Sequence, residues 1–499
     1  MNTRLSITWR SALTMALSAC LVVALAAPVG AQHRARLSKD LTDELAAPSR
    51  PTVDVIVEGT SDQIAQLARR YGLRIKKALG SGAVVEATQG QLDAAASDLD
   101  AEHFSLDSRV EGHMAITREA IAAAQVYAGF GGVAGVTGQN IRIAVIDSGV
   151  DKTHPALLGK VVFSKDFTQT GGGDQFGHGT HVADVIAGND EGVNGATYGG
   201  VAPGAQIVSL KVLTADGSGQ TSDVIEALEW VLQNARRYDI RVVNLSMGHP
   251  VFESYTEDPL CKAVQRVINA GIVVVASAGN ACKVKVDGQD VMVYSSIASP
   301  GNLPDVITVG ALNTRQTVDR SDDVVATYSS KGPTAFDKVI KPDLVAPGNK
   351  VMAAMAPGST VAGTPGAVFV YGDDGSGFVQ MSGASVSVGV VSGVVALMLE
   401  ANPSLTQAHV KMALQLSASA MPEGVLVAGS GSLNAAGAVW MAVNGPQPTV
   451  PAVQIGDDEV VGSGVLYWTG KTSGLKNIVK GNRIIWGDRI IWGDRIIWG

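Results

Sequence analysis

Five short runs that are almost wholly apolar, residues 141–146, 207–212, 242–245, 272–276 and 306–309, constrain this chain more than any other feature. A strand with one wet face alternates apolar and polar residues, so a continuous apolar run means burial on both faces, as in a parallel sheet covered by helices. Stretches with helical spacing, such as 222–235 and 260–269, separate several of the runs. This alternation predicts an α/β fold, a mostly parallel central sheet flanked by helices, extending to about residue 443. The 499 residues and 46% hydrophobic content suffice for a large core. With 38 Lys plus Arg against 46 Asp plus Glu, the net charge is −8, and nothing in it suggests the basic face that a nucleic acid needs.

Residues 1–31 read as an export signal: Arg4 and Arg10 precede an apolar run over 12–27, which ends in Val29-Gly30-Ala31. Release to the exterior after cleavage behind Ala31 is the expectation. Leu17-Ser18-Ala19-Cys20 also suits lipoprotein processing, but the apolar run continues past Cys20. No later stretch reaches the ~18 uninterrupted apolar residues of a membrane span, and the run over 386–399 reads as a buried core helix. Residues 32–49, polar and containing Pro48, read as a linker. Residues 50–113 read strand, helix, strand, strand, helix, strand, with a last short strand ending near Val110, which predicts a small α+β, ferredoxin-like module. A main domain over 114–445 follows, then a Pro-, Gly- and Val-rich linker over 446–480. The tail over 481–499 repeats Arg-Ile-Ile-Trp-Gly-Asp. A period of six keeps strand alternation in phase, which predicts every Trp on one face and allows self-pairing or docking on a sheet edge. Attachment or export is the first reading of this tail.

Four positions carry candidate chemistry. Asp147 directly follows the first apolar run, at the strand end where parallel sheets present functional groups. An Asx turn or cap is its plainer reading. His178, in Gly177-His178-Gly179-Thr180-His181, stands at a helix start, where an imidazole whose tautomer is fixed by a carboxylate serves as general base. His181 is its rival, and the His-Glu-x-x-His pattern of a metal site is absent. Ser385, in Ser382-Gly383-Ala384-Ser385, precedes an apolar helical run; it is either a cap or a nucleophile at a helix end that attracts negative charge. Asn280 closes a buried strand and could donate an amide N–H to an oxyanion, or simply form a turn.

Together, the order Asp, His, Ser with these flanks resembles the subtilisin-like serine protease family, the subtilases (peptidase family S8). The segments Gly200-Val-Ala-Pro-Gly204, Val243-Asn-Leu-Ser-Met-Gly248, Ser329-Ser-Lys-Gly-Pro333 and Lys341-Pro-Asp-Leu-Val-Ala-Pro-Gly348 match as well, so the resemblance spans about 140–443. It implies a secreted serine endopeptidase precursor acting on proteins or peptides. The catalytic residues would be Asp147, His178 and Ser385, with Asn280 and the Ser385 backbone N–H as oxyanion hole. Residues 50–113 would be an inhibitory propeptide removed by self-cleavage between about 110 and 120. Gly217, Ser218, Gly219, Ser246, Met247 and Gly248 would be the edges between which a substrate strand pairs. A monomer is expected, with no required cofactor and no assigned metal ligand. A structural calcium stays open, because the Asp that follows His-Pro in many relatives is Ala156 here. The family's Gly-Thr-Ser-Met-Ala-Ser/Thr-Pro becomes Gly-Ala-Ser-Val-Ser-Val-Gly389. This departure motivates the rival reading of a silent, peptide-binding relative, and the tail motivates a surface-attachment protein. Once Cys20 leaves, an oxidising compartment permits a bridge between Cys261 and Cys282; two unpaired core thiols are the alternative.

Overall fold

A computed structural model describes the chain from residue 35 to 468, except residues 39–40, 43–44, 46–50, 99–100, 102, 108, 113–117, 189–198, 287–288, 319, 373–374, 446–449 and 456–457, together with 483–486, 489–492 and 495–498. The signal expected over 1–31 lies outside the described residues.

The N-terminal module contains β1 (Arg36–Leu37), β2 (Val53–Glu58), α1 (Ser61–Tyr71), β3 (Arg74–Leu79), β4 (Gly82–Ala87), α2 (Gln89–Ala95) and β5 (His103–Leu106). Its sheet runs β1-β5-β2-β4-β3 and is antiparallel except for β1 with β5. Thr60 and Thr88 each close a capping box on the helix that follows. The period of two divides the sheet's faces. Val53, Val55, Val57, Ala83 and Val85 pack with Ile64, Leu67 and Leu92 of the two helices, while Ile56, Leu79 and Val84 face the main domain and join its core. Part of the expected linker belongs to this module: β1 pairs with β5, Leu41 is fully buried and Leu45 nearly so. Two leucines four apart in a polar stretch are too sparse a signal to read as structure. The single last strand is also two. After β5 the chain leaves the sheet, and β6 (Arg109–Gly112) pairs with the main domain instead.

The central sheet comprises β7 (Arg142–Asp147), β8 (Val161–Asp166), β9 (Gln206–Lys211), β11 (Ile240–Leu245), β13 (Val273–Ser277), β14 (Ile307–Asn313), β15 (Val324–Val325) and β16 (Leu344–Pro347); the short β10 (Ser218–Gln220) and β12 (Met247–Gly248) lie off it. Its order is β15-β14-β13-β11-β7-β9-β8, with β16 also on β14, and every pair is parallel except β14 with β15. The longer helices are α3 (His178–Ala187), α4 (Thr221–Tyr238), α5 (Pro259–Asn269), α6 (Ala384–Ala401), α7 (Gln407–Ser417) and α8 (Ala435–Asn444). Alternate residues of each strand serve opposite layers: Ile143 and Val145 pack with α3 and α6, and Ala144 and Ile146 with α4 and α5. Helix α6 is buried from Ala384 to Leu399, which accounts for its apolar composition all round. Strand order reverses at β7, with β9 on one side and β11 on the other, so the carboxyl ends of these strands border a crevice suited to a ligand.

Beyond α8, the segment expected as a linker packs on the main domain. β17 (Val453–Ile455), β18 (Asp458–Val460) and β19 (Val465–Trp468) place Val453, Ile455, Val460 and Leu466 in the principal core. Strands of three or four residues leave too short an alternation to be legible. The fully buried Tyr467 donates its hydroxyl to the carbonyl of Asp343 at 2.9 Å and to that of Pro342. The Asp343 carboxylate in turn holds Lys341 at 2.9 Å and Lys411 at 3.0 Å. Tyr467→Ala is expected to cost about 3–5 kcal/mol, as for other large aromatic truncations; urea denaturation of the full chain measures it, and a loss under 1 kcal/mol contradicts this packing.

Candidate active site

Asp147 ends β7, fully buried, and His178 begins α3, fully buried as well. Imidazole Nδ1 lies 2.6 Å from Asp147 Oδ1, which also accepts the Ser148 backbone N–H at 2.7 Å. The carboxylate thereby makes Nδ1 the protonated nitrogen and leaves Nε2 as the basic one. Phe176 stacks on the imidazole with ring centroids 5.9 Å apart. Two further groups tie the strand end to the helix start. Asp174 accepts the N–H of Gly177 (2.7 Å) and Thr180 (2.8 Å) and the hydroxyls of Thr180 (2.7 Å) and Ser148 (2.8 Å). Ser148 Oγ accepts the Gly179 N–H at 2.8 Å. Burial raises the Asp174 carboxyl above its ordinary value, against the pull of those hydrogen bonds. Gly179 has no room for a side chain, since a Cβ there would lie 2.0 Å from the Gly149 carbonyl oxygen.

Ser385 is the second residue of α6, and its hydroxyl has no hydrogen-bond partner among the described residues. Asn280 stands just beyond β13 and accepts the Ala384 N–H on Oδ1 at 2.9 Å. That bond fixes the amide orientation and leaves Nδ2, buried and without a described partner, as a donor beside the serine. A chain of bonds anchors the helix start to β11: Ser392 Oγ to Asn244 Oδ1 (2.9 Å), Asn244 Nδ2 to Ser246 Oγ (2.8 Å), and Ser246 Oγ to the Ser385 carbonyl (2.6 Å). Helices α3 and α6 meet closely, a Cβ on Gly389 falling 2.7 Å from Val185 Cγ1 and 3.6 Å from Val182 Cγ1. Val182 and Gly389 lie four residues, about one turn, beyond His178 and Ser385.

The three-stranded sheet β10-β6-β12 lies beside these groups. β6 runs antiparallel to both neighbours, with Val110 opposite Gly219, Glu111 opposite Ser218 and Gly248, and Gly112 opposite Met247. Of the six expected edge residues, Ser218, Gly219, Met247 and Gly248 thus flank an extended backbone. Gly217 forms the preceding turn at φ +79°, and Ser246 is turned inward to Ser385. A cavity of about 600 Å³ adjoins β12 and Asn280, lined by Gly248, Ser277, Gly279, Ser296, Ala298 and Ala335 among others.

Comparison with known proteins decides the family. The model of the subtilase family matches residues 138–444. The chain belongs to the subtilase family. That membership places it among the serine-type endopeptidases, which are hydrolases. This subtilase is 36% identical over 312 residues to the serine protease AprX of Bacillus subtilis, covering 61% of this chain and 67% of AprX. It is 33% identical to subtilisin E of the same species, covering 57% of this chain and 62% of subtilisin E, a little under two thirds of that relative. With the extracellular serine proteinase of a Thermus species it shares 33% identity over 56% of this chain and 55% of that protein. Fervidolysin from Fervidobacterium pennivorans shares the fold, with a TM-score of 0.62 at 20% identity, over 83% of this chain and 63% of that one.

The rival His181 is fully buried on α3. Its Nε2 lies 3.0 Å from the Val379 carbonyl, and burial first, then the neighbouring His178, pushes it down to about 3. The Cys261–Cys282 bridge is not formed, because the two thiols lie in separate polar niches. Cys261, on α5, has its sulfur 3.2 Å from Asn302 Oδ1, whereas Cys282, past Asn280, donates to the Thr327 carbonyl at 2.6 Å. His154 sits against the Gly377 carbonyl at 2.9 Å, and among the described residues no group of three His, Cys, Asp or Glu side chains is arranged to hold a metal. Sequence reasoning missed Asp174 and Asp107. An aspartate three residues before Gly177 was the only available signal for the first. Asp107, between β5 and β6, accepts the backbone N–H (3.1 Å) and hydroxyl (3.0 Å) of Ser222 at the start of α4, and so ties the module to the main domain.

Asp174→Ala is expected to lower kcat about 10–100-fold with a smaller change in KM, since His178 then loses its registration to Asp147; steady-state kinetics on a peptide substrate measure it, and an unchanged kcat refutes the positioning role. Burial pushes the Asp107 carboxyl up to about 6 from 3.8. The folded precursor therefore holds this proton more tightly than the unfolded chain, and the contribution to stability is full below pH 4 and lost as pH rises through 6. Asp107→Asn is expected to match the parent near pH 4 and to exceed it in stability at pH 7, by urea denaturation of the precursor; a difference independent of pH refutes the assignment.

Proposed function

We propose that this subtilase is the precursor of a secreted endopeptidase that cuts proteins through Asp147, His178 and Ser385 and removes its own N-terminal module. The observation that carries this reading is β6, an extended segment of the chain paired on both edges by β10 and β12 beside the start of α6. A cleft that pairs the chain's own backbone on two sides is equally suited to a substrate's, because backbone pairing is independent of sequence.

In the proposed cycle, Ser385 Oγ attacks the peptide carbonyl as its proton passes to His178 Nε2. Asp147 holds the imidazole in the required tautomer and stabilises its charged form. Asn280 Nδ2 and the Ser385 backbone N–H donate to the oxyanion at the positive end of α6. His178 returns the proton to the leaving amine, and water then releases the acyl group by the same path. The cavity beside Asn280 is lined by no Asp, Glu, Lys or Arg among the described residues, so the preferred side chain there is uncharged and large. Secretion rests on the leader over 1–31, and inhibition of the uncut chain rests on β6 occupying the cleft.

The test compares the full chain with its Ser385→Ala variant. Expected outcomes are a cut between about residues 110 and 120 in the parent alone, casein hydrolysis, and labelling by a fluorophosphonate only where Ser385 is present. An uncut, unlabelled parent with intact fold sinks the proposal and favours a silent relative. Asn280→Ala is expected to reduce kcat by about 10²–10³ with little effect on KM.

A further inference from the structure

The C-terminal repeat is the motif that peptide hydrolysis leaves without a role. Each copy of Arg-Ile-Ile-Trp forms one strand: β20 (Arg483–Trp486), β21 (Arg489–Trp492) and β22 (Arg495–Trp498). β19 joins β20 in parallel, and β20, β21 and β22 continue as an antiparallel meander. The expectation that every Trp falls on one face fails, and the register gives the reason. Trp486 stands opposite Arg489, three residues on, so they share a face, and an odd spacing then puts the Trp492 position on the other.

The same register has a second consequence. Arg489 pairs with Trp498, Ile490 with Ile497, Ile491 with Ile496 and Trp492 with Arg495; β20 with β21 repeats this rung for rung. An Arg-Ile-Ile-Trp strand is thus complementary to an antiparallel copy of itself. The two ends of the four-stranded sheet differ. β19 packs against α7, with Leu466 and Tyr467 buried. β22 pairs, among the described residues, with β21 alone, so its outer row of backbone N–H and C=O groups is a template for one more strand.

We infer that β22 pairs with β22 of a second copy across a twofold axis, joining two four-stranded sheets into one of eight. The axis passes between Ile496 and Ile497 and sets Arg495 opposite Trp498 of the partner subunit and Ile496 opposite Ile497 of the partner subunit. Every intermolecular rung then repeats one already made twice within the chain. The interface is isologous, and because the twofold pairing uses the β22 edge of both copies, assembly closes at the dimer. The association replaces the monomer expected from the sequence, and it leaves the proposed peptidase site untouched.

Sedimentation velocity on the full chain, carrying Ser385→Ala to prevent self-cleavage, tests this over a hundredfold range of concentration. The expected result is a concentration-dependent rise from one chain mass to two and no further. Ile496→Lys/Ile497→Lys, which sets like charges opposite one another across the axis, should remain at one chain mass, as should a chain ending at Lys480. With Ser385 intact, both should cut casein at the parent's rate, which separates a lost edge from a misfolded enzyme. A parent fixed at one chain mass, a dimer that survives the deletion, or open-ended growth would each overturn the inference. Binding of the tail to another protein or to a membrane without self-association overturns it too.

Discussion

A fully buried carboxylate facing a fully buried imidazole is costly to desolvate, and the elements around it are arranged to hold it. Desolvation of Asp147 is offset at Oδ1, which has two donors, His178 Nδ1 and the Ser148 N–H, while Oδ2 has no partner among the described residues. Strand β7 supplies the position, because a parallel sheet gathers its carboxyl ends along one edge, and the reversal of order at β7 opens the crevice there. Asp174 supplies the registration, satisfying the first N–H groups of α3 while reaching Ser148 at the strand end. A second buried carboxylate thus secures the first.

The start of α6 departs from the Gly-Thr-Ser-Met-Ala-Ser/Thr-Pro pattern that the family resemblance implies, and the structure accommodates each change. The residue before Ser385 is Ala384, which presents its backbone N–H to Asn280 Oδ1, a contact that needs no side-chain hydroxyl. Ser387 turns its hydroxyl to the Ala346 carbonyl at 2.9 Å and so pins α6 to β16. Gly389 stands where that pattern has proline, and it is the point at which α6 approaches Val185 of α3 too closely for a side chain. The two helices that carry His178 and Ser385 are therefore in close contact one turn beyond those residues.

Much of this was legible in the sequence. The five apolar runs are five strands of the central sheet, displaced by no more than a few residues, because burial on both faces leaves an uninterrupted signal. Asp147, His178, Ser385 and Asn280 were legible because each sits at the end of such a strand or at the start of an apolar helix. Where the signal is brief or relational, reading fails. Leu41 and Tyr467 are single anchors in polar or Gly-rich stretches and look like linker until their partners are seen. The separation of Cys261 from Cys282 and the facing of the repeat's Trp positions depend on distance and hairpin register, neither of which a linear pattern encodes.

The module's two-faced sheet explains why severing the chain after β6 would not by itself free the cleft. One face covers the module's own helices, and the other sends Ile56, Leu79 and Val84 into the layer formed by α4 and α5. Burying three such side chains contributes roughly 5–9 kcal/mol at about 1.5–3 kcal/mol each, comparable with the 4–15 kcal/mol cost of holding two separate bodies together. Lys77 adds an ion pair to Asp223 and one to Glu226 at 2.8 Å, and the Gly80 N–H reaches Glu229 at 2.6 Å. β6 itself contributes backbone bonds on both edges. With these contacts outside the cleft, the strand within it is held by the whole module, and a cut after β6 leaves them in place.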